Sequence, residues 1–221
     1  MSHALLYPAS YDGIYGRCIG FALDVAMKIN LSKENIDTAL SNPKLEEGLL
    51  RYLNIQKLFP AVNVSDDKDF QRYFNTFYKV IKRSPEWYRQ FYGAFQATRC
   101  DRVTLREILE ILQNKTHRVE ASFGSKLLAT IDPSMPVIDS IVLKNLGLRL
   151  PYAKDVNRLE KIVKIQEQLK SLMTAYIRTS DGKYLIQQFK ESFPYAKITK
   201  IKMLDLVLWQ TRIKKHILKK I

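Results

Sequence analysis

VEASFGSKLLATIDPSMPVIDSIVLKNL, from Val119 to Leu146, is the stretch whose reading decides the fold. Its apolar residues recur at helical spacing as far as Asp132-Pro133, where the chain breaks, and Pro136-Val137-Ile138-Asp139 opens a second apolar helix that Gly147 is suited to end. The prediction is helix, loop, helix. Asp139 falls at the mouth of the second helix, where its side chain can accept backbone N–H bonds and complement the dipole, so one reading is a simple cap. The other is chemical. An acid at a helix mouth, one loop after a helix carrying Lys126, is equipped to act on an electron-poor carbon.

The flanking sequence repeats the helical pattern. Residues 32–41 and 43–59 read as two amphipathic helices, split by Asn42-Pro43, with Leu45, Leu49, Leu50, Leu53 and Leu58 on a core face. Ser65-Asp66-Asp67 starts another, with Phe70, Phe74, Phe77, Tyr78 and Ile81 on one stripe and Arg72, Asn75, Lys79, Lys82 and Arg83 opposite. A second aromatic cluster follows in Trp87, Tyr88, Phe91, Tyr92 and Phe95. Thr104 caps a helix over 105–112, broken at Asn114-Lys115-Thr116, and the next loop supplies His117 and Arg118. Beyond Pro151 a long helix is predicted over 156–177, with Glu160–Lys164 as a surface pair. Thr179-Ser180-Asp181-Gly182 reads as a turn before a helix over 184–193. Residues 197–221 form a basic amphipathic finish that can lie on DNA, on an anionic membrane or against the core, with docking on the core and one solvated face as the expectation. Residues 1–30 read as a loop rich in Tyr and Gly followed by a helix over 19–29.

Composition agrees with an all-α chain. At 221 residues, 46% of them hydrophobic and with only 8 Gly and 8 Pro, the chain can fill a core but lacks the turn residues of a many-stranded fold. The 36 Lys and Arg exceed the 22 Asp and Glu by enough to give +14, which favours a polyanionic partner such as nucleic acid, although an anionic membrane surface attracts the same charge and some proteins carry it for solubility alone. Rings interleaved with cations suit stacking on bases and pairing with phosphates, although the Phe stripes are also what a core requires. Cys18 and Cys100 have no Cys or His at ligand spacing, so no metal, cofactor or disulfide framework is expected. A secretory leader and a membrane-length apolar run are both missing from the pattern, and a cytoplasmic protein is the expectation.

Nucleotide-loop, dinucleotide-fold, zinc-protease and nucleophile-elbow motifs do not occur, and His3, His117 and His216 supply little histidine chemistry; the Arg212–His216 pair reads as surface. Carboxylates and lysines are left as the chemical groups.

The order apolar-G-x-K-apolar-apolar, loop, P-V-I-D-S-x-V resembles the helix-hairpin-helix DNA glycosylase superfamily across residues 119–146. That resemblance implies one compact helical unit over 1–221, either undivided or built of two tightly packed subdomains, about 60–150 with the hairpin-like segment 119–146 as one and 1–59 with 151–221 as the other. It implies Asp139 as catalytic carboxylate, Lys126 as a lysine able to form a Schiff base, and double-stranded DNA with a flipped base as partner. VEASFGSK keeps only Gly124 where that superfamily's hairpin is richer in glycine. A flipped base needs an aromatic pocket, for which Tyr73, Tyr78, Trp87 and Tyr88 are candidates; Lys79, Arg83, Arg118, Ser125 and Lys144 are candidates for the DNA backbone. The rival expectations are a non-catalytic nucleic-acid-binding module and a basic helical protein-interaction domain.

Overall fold

The computed structural model describes residues 29–99 and 102–211. Cys18, Cys100, the helix expected over 19–29 (apart from Ile29) and the Arg212–His216 pair lie outside the described residues. The protein is all-α: the described residues form ten helices and no strand. They are α1 (Lys33–Leu40), α2 (Pro43–Leu58), α3 (Lys68–Tyr78), α4 (Pro85–Ala97) and α5 (Leu105–Thr116), then α6 (Ala121–Ile131), α7 (Ser140–Asn145), α8 (Arg158–Tyr176), α9 (Ser180–Ser192) and α10 (Lys200–Gln210).

Side-chain caps set most of the starts. Ser32, Asn42, Asp67, Ser84, Thr104, Thr179 and Thr199 each accept a backbone N–H of the helix that follows, and Thr104 forms a reciprocal capping box with Glu107. The buried residues form one continuous apolar cluster. α10 packs against α1, α2, α7, α8 and α9, while α2 lies on α3, α4 on α5, and α5 on α6 and α8. Segments 60–150 and 151–211 with 29–59 pack on one another through α2–α3, α5–α8 and α7–α10.

Several expectations need correction. Ile81 leaves the aromatic stripe because Lys79, at φ 55°, ends α3 in the left-handed region; Ile81 then projects from the loop, 59% exposed. Leu50 is exposed too, since the buried face of α2 is Leu45, Gly48, Leu49, Tyr52 and Ile55. α5 continues through Asn114-Lys115-Thr116 and stops only at His117, φ 56°, because Asn, Lys and Thr merely weaken a helix whereas a left-handed residue ends one. Glu160 pairs with Arg106 on α5 and not with Lys164.

Thr179-Ser180-Asp181-Gly182 is a helix start, with Thr179 Oγ1 accepting from Gly182 N at 3.1 Å. Glycine is needed there for space: a Cβ would stand 2.0 Å from the Tyr176 carbonyl oxygen and 2.6 Å from Ile177 Cα, both backbone atoms. Gly182→Ala must therefore push two helices apart, and thermal unfolding should show a loss of about 2–3 kcal/mol.

Candidate functional site: a cavity between α6, α7 and α10

The residues joining α6 to α7 are held from three sides. Ile138 N–H donates to Ser125 Oγ on α6 (2.9 Å), Gln166 Nε2 on α8 donates to the Pro136 carbonyl (2.7 Å), and Thr199 Oγ1 at the start of α10 donates to the Pro133 carbonyl (2.6 Å). Asp139 follows directly. Its Oδ1 accepts the N–H groups of Ile141 (2.8 Å) and Val142 (3.4 Å), and among the described residues its Oδ2 has no hydrogen-bond partner. The cap reading and the chemical reading therefore use different oxygens of one side chain.

Asp139 lines a cavity of about 770 Å³, in the size range of small-molecule sites. Phe77, Tyr78, Val137, Leu143 and Leu206 make much of its wall apolar, and Lys126, Asp205 and Trp209 also face it. Lys79, Lys144 and Arg149, all exposed, line its opening. Tyr78 packs within the α3 aromatic cluster, its ring 4.7 Å from Phe74 and 4.6 Å from Phe77, and Thr130 Oγ1 stands 3.4 Å from its hydroxyl.

Lys126 is buried on α6, only 7% exposed, and among the described residues no carboxylate lies within 4.0 Å of its ammonium. Burial pushes its pKa down to about 8; the Asp139 carboxylate pulls it up and the Arg83 cation pushes it down further. Its Nζ lies 5.0 Å from the Phe123 ring centroid. A lysine in that state is neutral often enough to be a nucleophile near pH 8.

A second charged pair borders the same cavity, and no reading of the sequence isolated it. Lys202 is fully buried, its Nζ 2.8 Å from Asp205 Oδ2 and 5.0 Å from the Tyr52 ring. Burial alone would lower the Lys202 pKa, but the Asp205 carboxylate beside it reverses the direction and raises it. Burial likewise raises the Tyr52 and Tyr78 hydroxyls, leaving both neutral at physiological pH. In the sequence Lys202 reads as one of the cations of the basic finish over 197–221, whereas its K-x-x-D spacing to Asp205 on one helical turn is the signal for a paired lysine.

Of the residues singled out from the sequence, the cavity brings together Asp139, Lys126, Tyr78, Lys79 and Lys144. Tyr73, Trp87 and Tyr88 are not among its lining residues. Tyr73 sits under Arg72, the Tyr88 hydroxyl donates to the Val80 carbonyl at 2.8 Å, and Trp87 is stacked on Phe91 at 4.8 Å. Arg83 lies over Trp87 and Phe123, and Arg118 is exposed on the α5–α6 connection. Ser125 cannot reach a DNA phosphate: it is completely buried, donating to the Ser122 carbonyl (3.0 Å) and accepting from Ile138. Gly124 lies inside α6, where a Cβ would meet Leu109 Cδ2 at 2.7 Å, so it serves the α5–α6 crossing and not a phosphate-binding turn. Ser125→Ala should leave the Ile138 N–H buried without an acceptor and lower stability by about 1–3 kcal/mol in denaturant titrations.

Among the described residues no helix is long and apolar enough to cross a membrane, and no group of three or more His, Cys, Asp or Glu is placed to hold a metal ion. No protein-family model matches the chain, and comparisons with curated proteins and with solved structures give no match.

Proposed function

We propose that this protein is a DNA glycosylase-like enzyme that draws a modified base out of the duplex and cleaves its N-glycosidic bond, with Asp139 as the essential carboxylate. The observation that carries the reading is the meeting of Asp139 and the buried Lys126 in one aromatic-walled cavity whose opening is lined by Lys79, Lys144 and Arg149. Such an opening suits phosphates, and such a cavity suits a flat base. Breaking the bond develops positive charge at C1′ of the sugar; a carboxylate beside it stabilises that charge and orients or deprotonates an attacking water.

Flipping a base leaves a gap in the stack that proteins commonly fill with an apolar side chain. Ile81 has the required character. It projects between Lys79 and Arg83 from a loop that the buried Val80 and the Tyr88 hydroxyl hold in place.

Lys126 adds a covalent branch. Its neutral amine forms a bond to C1′ as the bond to the base breaks; the base leaves with that electron pair and takes up a proton, and opening of the sugar ring with loss of the amine proton gives an imine. Borohydride should trap that imine, with a yield that rises as pH passes through about 8. Stability should move in the same direction. A folded-state lysine pKa below the unfolded one means that the unfolded chain holds its proton more tightly, so the folded chain gains stability between about 8 and the ordinary value near 10.5. Lys126→Met should abolish the adduct and stabilise the protein at pH 7 by about 2–3 kcal/mol, measured by denaturant titration.

The test of the proposal is incubation with duplexes carrying diverse modified bases, scored for abasic sites. Release from at least one duplex is expected; no release from any would overturn it.

A further inference from the structure

The Lys202–Asp205 pair has an asymmetry that a purely structural ion pair does not need. Asp205 commits Oδ2 to Lys202 at 2.8 Å, while among the described residues Oδ1 has no partner. The residue is only 7% exposed, it lines the cavity, and Oδ1 is not among the buried polar atoms cut off from solvent. Its free oxygen therefore opens into the cavity, in company with Tyr78 and Trp209. A carboxylate there accepts hydrogen bonds and donates none.

The geometry points to Asp205 as the group that reads the base, selecting a guanine-type Watson–Crick edge. This inference rests on the glycosylase reading for the identity of the guest. Guanine is the common base that sets two donors, the ring N1–H and the exocyclic N2–H, side by side on that edge. Adenine and cytosine place a ring-nitrogen lone pair next to their amine, and thymine flanks its single N–H with two carbonyls, so each sets an acceptor against Asp205. The ring faces of a purine meet the aromatic wall, and Lys202 beneath holds the carboxylate in place without competing for the guest, since its own ammonium is completely buried.

The experiment is competition binding to duplexes that differ in one base placed opposite an abasic site, which lowers the cost of flipping. Wild-type protein should bind the guanine duplex about tenfold or more tightly than the hypoxanthine duplex, which lacks only the N2 amine. O6-methylguanine, which lacks the N1 proton, should lose a similar factor, while 7-deazaguanine, whose edge is intact, should lose none. Because these comparisons alter the ligand, they do not depend on a variant that folds. In the double variant Lys202→Met/Asp205→Leu, which removes both charges and the acceptor oxygens together, the ranking should flatten. Equal wild-type affinity for guanine and hypoxanthine, or an unchanged ranking in a folded double variant, would overturn the inference. Base release is scored separately: release without a guanine preference overturns this subsite alone, and a guanine preference without release from any modified duplex overturns the chemistry alone.

Discussion

Lys202→Met should cost about 3–5 kcal/mol, because it strands the Asp205 carboxylate in a wall of apolar and aromatic side chains with no counter-charge. The ammonium of Lys202 is completely buried, its carboxylate partner stands at 2.8 Å, and the Tyr52 and Tyr78 rings lie 5.0 and 6.0 Å from its nitrogen. Asp205 Oδ1 keeps its access to the cavity, but Oδ2, turned toward the buried Lys202, loses the one hydrogen-bond partner it has among the described residues. The double variant Lys202→Met/Asp205→Asn should recover most of that loss, since taking both charges out of a low-dielectric site also removes the desolvation each one carried. Chemical denaturation of the single and double variants gives the coupling directly. If the two single substitutions added without coupling, the pair would not be the buried ion pair that Nζ and Oδ2 describe.

Asp139→Asn is expected to lower base release by about 10²–10³-fold while leaving stability within about 0.5 kcal/mol. The separation is possible because asparagine caps a helix about as well as aspartate. Its amide oxygen can keep the N–H bonds of Ile141 and Val142, whereas the negative charge beside C1′ is lost. Asp139→Ala removes both functions and should cost about 1 kcal/mol of stability as well. An Asn variant as active as wild type would leave Asp139 as a cap and nothing more.

Local rules made much of the fold legible in the sequence. Caps such as Ser32, Asp67 and Thr104 and the 3.6-residue spacing of Phe70, Phe74 and Phe77 are contacts within a few residues, and they placed most helix starts and buried faces. Misreadings arose where backbone geometry or packing overrides composition. Ser180-Asp181-Gly182 has turn composition, but Thr179 caps it as a helix and Gly182 answers to the close approach of the Tyr176 backbone. Ser125 looks like a surface hydroxyl until α7's approach buries it under Ile138. The same holds for the candidate site. Asp139 and Lys126 could be picked out because they flank one loop, but Asp205 and Trp209 come from α10, at least 60 residues further along, and only packing brings them to the cavity, with Lys202 buried behind Asp205. Trp87 and Tyr88 had the composition of a base pocket, yet their neighbours on α4 and in the 79–84 loop consume them.

The most direct measurement is single-turnover release of a modified base from duplex DNA by wild-type protein and by Asp139→Asn, with the melting temperature of both recorded in the same buffer. Abasic sites from the wild type, a fall of about 10²–10³-fold in the variant, and matched melting temperatures are expected. Equal release by the two proteins, or no release from any duplex by a folded wild type, would contradict the proposal.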